Sequence, residues 1–192
     1  WAQHVFAFEP VKSFFEILKN NVTRNNLNNV ILLNSAVGNS VTPIKMKIMN
    51  KNDGHSHVVL AEKGGKIFET TDCTTLDIFC KLNNIVGSDF IKIDVEGMEH
   101  QVLEGASRLL QVSRPVVLFE VNLSQLRAHG ASTGDIKHFF QAHEYRLFLP
   151  LFQEHPVLAE VRNLDLLTAC IAPRAWFLHG ESAPFDSFAV PK

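Results

Sequence analysis

An α/β fold built on a mainly parallel sheet with helices on both faces is predicted by two features of these 192 residues. Strand-like and helix-like segments alternate along most of the chain, and the short strand segments are apolar throughout. Strands buried on both faces read as continuous apolar runs, and parallel neighbours need crossover connections that are usually helices. No internal repeat or low-complexity linker interrupts the pattern. A single domain over residues 1–192 is therefore expected.

His4 to Phe8 is a short apolar strand closed by Glu9-Pro10. Proline suits the first turn of a helix, where its missing N–H costs nothing. VKSFFEILKNNV then places Phe14, Leu18 and Val22 at helical spacing with Phe15 alongside, and NNLNN ends the helix. Val30 to Leu33 opens a second strand that closes at Asn34-Ser35-Ala36. Ile44, Met46 and Ile48 alternate with polar residues, as in a half-exposed antiparallel strand. His57 to Leu60 and Lys66 to Phe68 flank Gly64-Gly65, a hairpin signal. Residues 41–72 thus read as a β-hairpin insertion.

Thr74 or Thr75 caps a helix running to Leu82. The strand Phe90 to Val95 follows, then a helix from Met98 to Gln111 with Met98, Val102, Ala106 and Leu109 or Leu110 as its apolar stripe. Glu104 and Arg108 form an i,i+4 pair on its other side. Arg114 to Glu120 is a further buried strand ending in a carboxylate. Thr133-Gly134-Asp135 caps a helix that turns Ile136, Phe139 and Phe140 to one face, and Tyr145–Leu149 and Leu166–Ile171 are the last strands.

Bulk properties exclude several function classes. An apolar share of 46% and a charged share of 20% belong to a globular protein, and a net charge of −2 gives no general attraction to nucleic acid or anionic membranes. No run approaches the roughly 18 apolar residues that span a bilayer, and no signal peptide is visible. A cytoplasmic protein without nucleic-acid or membrane partners is expected. Cys73, Cys80 and Cys170 are odd in number and widely spaced, so reduced thiols are the default. The sequons at Asn21 and Asn122 read as chance matches. Trp-Ala-Gln-His opens the chain without an initiator methionine, as in a fragment or trimmed domain.

The chemistry concentrates at strand ends. In an open parallel sheet, ligands sit outside the carboxyl ends of the strands. Three strands here end in an acid, at Glu9, Asp94 and Glu120, and another ends in the small residues Ser35 and Ala36, which leave room for a flat ring. An acid after the second strand of a nucleotide-binding sheet accepts hydrogen bonds from ribose hydroxyls. That arrangement calls for a glycine-rich turn roughly 20 residues earlier. Glu9 fits the acid, while only eight residues precede it.

VFAFEP at 5–10, NVILLNSAVG at 29–38, TTLDIFC at 74–80 and FIKIDVEGMEHQVLEGA at 90–106 together resemble the FkbM-type methyltransferases, in order and most specifically in the IDVEGxE block. The resemblance covers about residues 5–122 and weakens beyond about 130. It implies a Rossmann-like class I fold, S-adenosylmethionine as cofactor, and O-methylation of a hydroxyl on a sugar, glycan or other small molecule. By this resemblance Glu9 holds the cofactor ribose, Ser35 and Ala36 flank its adenine, and Asp94 and Glu96 sit beside the sulfonium and the incoming hydroxyl. The family's first strand and DxGxNxG-like loop, normally between the strands beginning at Val5 and Phe90, have no counterpart in these residues. The isolated chain is accordingly expected to lack half the cofactor site.

Methyl transfer to a hydroxyl needs a base, for which Asp94 and Glu96 are the candidates, with Glu120 a further one and His100 a weaker one. Asp94 and Glu120 could alternatively hold a divalent cation, though no metal is predicted. Two rival signals are weaker. Gly130-Ala131-Ser132-Thr133-Gly134 matches the GxSxG elbow of serine hydrolases, but the polar LSQLRAH before it is not a strand. His55-Ser56-His57 lacks further ligands at metal spacing. A degenerate, non-catalytic domain is the remaining alternative.

Overall fold

A computed structural model describes residues 2–48, 56–58, 68–151, 157–161 and 185–191. Cα packing divides the chain into two compact units, Trp1–Thr75 and Leu76–Lys192.

The first unit begins with β1 (Val5–Phe8), α1 (Lys12–Arg24) and β2 (Val30–Leu33). The two strands pair in parallel, from Val5 opposite Val30 to Phe8 opposite Leu33, with α1 as the crossover. Pro10 lies before α1 rather than in its first turn. Val11 is the N-cap, extended and wholly buried, and no side chain of its own caps the helix. The carboxylates of Glu9 and Glu69 accept the Val11 and Lys12 N–H groups instead, at 2.8 and 3.1 Å. They satisfy two of the donors a helix start leaves open. At the far end Asn25 and Asn26 close the helix, Asn26 at φ +53°.

Ala36 does not finish β2 but opens β3 (Ala36–Val37), which pairs in parallel with β7 (Cys73–Thr74). Between them β4 (Ile44–Ile48) runs antiparallel to both β5 (Ser56–Val58) and β6 (Phe68–Thr71), in the order β5-β4-β6. The alternation at Ile44, Met46 and Ile48 is that of this strand, with Met46 buried. The Gly64-Gly65 turn and His55 lie outside the described residues.

The second unit starts with α2 (Leu76–Leu82), immediately after Thr75; Thr74 belongs to β7. Then come β8 (Phe90–Ile93), α3 (Glu99–Glu104), α4 (Ser107–Ser113), β9 (Val116–Val121), α5 (Leu123–Ala128), α6 (Thr133–Ala142), β10 (Tyr145–Leu151), β11 (Val157–Val161) and β12 (Phe185–Pro191). The expected single helix from Met98 to Gln111 is two. Gly105 and Ala106 interrupt it, and the Asp77 carboxylate accepts Arg108 N–H and Leu109 N–H at 2.9 and 2.8 Å to start α4. The break falls between Glu104 and Arg108, and Glu104 Oε1 lies 3.8 Å from His100 Nδ1.

Five strands form one sheet in the order β11-β10-β12-β9-β8. Only β8 and β9 are parallel in it; β12 enters between β9 and β10, antiparallel to both. Over the described residues three strand pairs are parallel and five antiparallel. The α/β class stands, but the sheets are small and mixed rather than one mainly parallel sheet. The expected strand Leu166–Ile171 lies outside the described residues.

β9 alternates instead of being buried on both faces. Val117, Phe119 and Val121 are wholly buried, while Val116, Leu118 and Glu120 are half-buried. The Phe119 ring packs 5.2 Å from that of Phe140 on α6, and Leu103 of α3 and Ile136 of α6 are equally sealed from water. Aromatic pairs at this spacing add to burial through edge and face attraction. Tyr145 closes the core by donating to the Pro115 carbonyl at 3.0 Å, under the Arg114 guanidinium.

Candidate functional site

In the first unit the candidate cofactor residues gather where β1 and β2 end together. Glu9 N–H donates to the Leu33 carbonyl at 3.0 Å, extending the ladder one step past Phe8. Asn34, one residue past β2, donates through Nδ2 to the Glu9 and Pro10 carbonyls at 2.9 and 3.2 Å. The two strand ends are thereby tied at the position where an open α/β sheet receives ligands. The half-buried Glu9 carboxylate is oriented by Val11 N–H. Burial raises its pKa, the Val11 hydrogen bond opposes this, and the nearby Glu69 carboxylate adds to the rise.

Ser35 donates to both the Ala36 and Asp72 carbonyls at 3.0 Å. Ala36 is buried and donates its N–H to Asp72 at 2.8 Å. These bonds fix the backbone at Ser35 and Ala36, next to the Asn34 that bonds to the Glu9 carbonyl. Sequence reasoning missed Asn34 and Glu69. Asparagine directly after an apolar strand was a usable sign for the first, whereas Glu69 reaches α1 only through the folded insertion.

In the second unit the acids follow β8 and β9. The last register pair of these parallel strands is Ile93 with Phe119, so the next step sets Asp94 level with Glu120. Side chains alternate along a strand, which puts both on the face opposite the buried Ile93 and Phe119. Glu120 is not a strand terminus as expected: β9 runs on to Val121, and Glu120 pairs in register with Asp186 of β12. Asp94 is exposed and held by Lys92, whose Nζ stands 2.9 Å from Oδ2. Exposed ion pairs of this kind contribute about 0–1 kcal/mol, so the pair orients Asp94 more than it stabilises the fold.

After Asp94 the backbone turns through the left-handed region at Glu96 (φ +53°) and Gly97 (φ +99°). The glycine is required twice over: its φ is one that side chains resist, and a Cβ there would stand 2.5 Å from the Gln125 carbonyl carbon of α5. α5 itself is started by Asn122, whose buried side chain accepts Gln125 N–H at 3.3 Å and the Ser124 hydroxyl at 2.8 Å. His100 packs edge-on to Phe139, with ring centroids 6.4 Å apart.

Glu99 went unnoticed in the sequence. It is wholly buried, and its Oε1 accepts Gly97 N–H at 3.1 Å. Its position was legible: residues 99, 102, 103, 106 and 110 share one helical face, and the other four are apolar.

Ser132 is not a nucleophile at an elbow. It is the N-cap of α6, closing a capping box with Asp135, and the helix α5 stands where the elbow needs a strand. The Ser132 hydroxyl, then its N–H, hold the Asp135 carboxyl below its ordinary pKa. Among the described residues no group of three or more His, Cys, Asp or Glu side chains could hold a metal ion, and no helix is long and apolar enough to cross a membrane.

Comparison with known proteins follows this geometry. Residues 1–147 match the methyltransferase FkbM domain, a span that holds every residue assigned above. The chain is similar in structure to the methyltransferase FkbM from Methylobacillus flagellatus KT, with a TM-score of 0.53 and 16% identity over 83% of this chain. It spans 36% of that protein's length. A precorrin-6y C5,15-methyltransferase from Geobacter metallireducens GS-15 aligns over 98% of this chain and 67% of its own, at 13% identity and a TM-score of 0.45. No curated protein matches. The family match takes in more than half the chain and includes both the Glu9 strand end and the IDVEGxE turn: the chain belongs to the FkbM methyltransferase family.

Proposed function

We propose that the protein transfers a methyl group from S-adenosylmethionine to a hydroxyl oxygen of a sugar, glycan or other small molecule, within a single domain. The observation that carries this reading is the family match over residues 1–147. The donor set of the first unit fits the cofactor's nucleoside. Glu9 offers a carboxylate, oriented by Val11 N–H, at the end of a parallel strand, the chemistry that accepts two vicinal ribose hydroxyls. Ser35 and Ala36 offer small side chains on a backbone fixed by hydrogen bonds, against which a purine can lie. S-adenosylmethionine supplies a methyl carbon made electrophilic by the adjoining sulfonium.

The residues of the second unit handle the proton. A hydroxyl attacking carbon must lose its hydrogen, and Asp94, Glu96 and Glu120 are carboxylates suited to accept it. Asp94 serves this role once the acceptor displaces Lys92 from its Oδ2. Holding the reacting groups close and in line can lower such a barrier by roughly 7–11 kcal/mol, so the protein's work is chiefly alignment.

The test is calorimetric titration of full-length protein with S-adenosylmethionine, followed by a panel of hydroxylated acceptors. Glu9→Ala removes a hydrogen bond to a charged group and should weaken binding roughly tenfold to a hundredfold. Unchanged affinity in Glu9→Ala would remove Glu9 from the cofactor site. Absence of binding in the wild type would leave the non-catalytic reading.

A further inference from the structure

We propose that Glu99 is the positioning residue of the acidic turn after β8: its buried carboxyl, in neutral form, clamps the left-handed pair Glu96-Gly97 and thereby fixes where Asp94 and Glu96 stand. The consequence for catalysis rests on the methyl-transfer reading above; the clamp itself does not.

Of the two consecutive residues with positive φ, the non-glycine Glu96 costs roughly 1–2 kcal/mol to hold there. This turn is gripped from two sides. Gln125 of α5 presses its backbone against Gly97, leaving no room for a Cβ. From the other side Glu99, the first residue of α3, folds back so that Oε1 accepts Gly97 N–H at 3.1 Å. Releasing Glu99 would leave that buried N–H without its acceptor. The turn could then relax, carrying Glu96 and the adjoining Asp94 with it.

The state of the carboxyl follows from its surroundings. Glu99 is fully shielded from water, and Val102 and Leu103 on the same helix are buried beside it. Among the described residues its second oxygen, Oε2, is buried with no hydrogen-bond partner. An ionised carboxylate so placed is disfavoured more strongly than a protonated one. Burial is the largest influence raising its pKa; the backbone N–H groups of Glu99, Gly97 and Val95 oppose it, and the charge of Asp94 adds to the rise. Asp94 and Glu99 are thus neighbouring carboxyls in opposite settings, one exposed and ion-paired, one sealed from water. Glu99, sealed from water, holds the turn rather than meeting an acceptor.

The experiment compares full-length wild type with Glu99→Gln and Glu99→Ala. Carboxyl ¹³C NMR gives the titration midpoint of Asp94, and amide hydrogen exchange reports Gly97. Glutamine keeps the Oε1 acceptor and the neutral charge, so the Asp94 midpoint and Gly97 protection should both match wild type. Alanine should lose Gly97 protection and shift the Asp94 midpoint. A lowered Asp94 midpoint in Glu99→Gln would mean that a negative charge had been removed, overturning the neutral clamp. So would full Gly97 protection in Glu99→Ala; if that variant does not fold, the glutamine variant decides. For catalysis, kcat/KM on an acceptor from the panel should fall roughly 100-fold in Glu99→Ala and be largely rescued in Glu99→Gln, since a misplacement of about 1 Å can cost that much. Intact NMR behaviour with no methylation by wild type would sink the methyl-transfer reading and leave the clamp standing.

Discussion

At the scale of single residues, each acid owes its character to its setting. Glu99 offers a test by pH. Its pKa is raised in the folded state, so the protein binds more protons folded than unfolded. The stability this contributes is complete below the ordinary carboxyl range, near 4.5, and is lost as pH rises through the folded value. Glu99→Gln should therefore flatten the decline in stability above that range, as read by thermal melts across pH; an unaltered slope would show that Glu99 is ionised in the fold. Gly97→Ala should destabilise by about 1–3 kcal/mol in denaturant titration, because both its φ and the Gln125 backbone resist a Cβ. At this scale the sequence was partly legible. Glu9, Asp94 and Glu96 stood out as acids beside apolar strands, and Lys92 shared the face of Asp94 by the two-residue period of a strand. Glu99 was hidden because an acid on an apolar stripe is visible only when the stripe is drawn through residue 99 rather than residue 98.

At the scale of elements, the short strands and helices follow from local patterns, and their boundaries follow from partners distant in sequence. The break between α3 and α4 depends on Asp77, thirty-one residues before the N–H of Arg108 that it accepts. Asp77→Ala should cost about 0.5–2 kcal/mol, the usual range for a lost helix cap, with fraying reported by amide exchange at Arg108 and Leu109. Protection unchanged at both amides would deny Asp77 the capping role. Ser132→Ala removes the cap of α6 and should destabilise by a similar amount. It should leave methyl transfer intact, whereas a serine hydrolase would lose its activity. The start of α6 was legible to within a residue: the cap expected at Thr133-Gly134-Asp135 is made by Ser132 with Asp135. The delayed start of α1 was not, since Val11 is set in place by Glu9 and by Glu69 from the insertion.

The whole molecule is where sequence reading reached least far. Alternation of strand and helix gave the α/β class, and the ordered motifs gave the family. The sheet is another matter: β12, near the end of the chain, inserts between β9 and β10 and runs against both. Such a pairing joins segments far apart in sequence, and no local period encodes it. Burial on one face of β9 likewise replaced the two-sided burial that a parallel sheet would have imposed. The central claim, that this family member uses S-adenosylmethionine, depends on the assembled protein rather than on any one residue. Isothermal titration of full-length protein with S-adenosylmethionine tests it most directly. Saturable binding at micromolar concentration or tighter, weakened by Glu9→Ala, is the predicted result; no heat of binding to folded wild-type protein would contradict it.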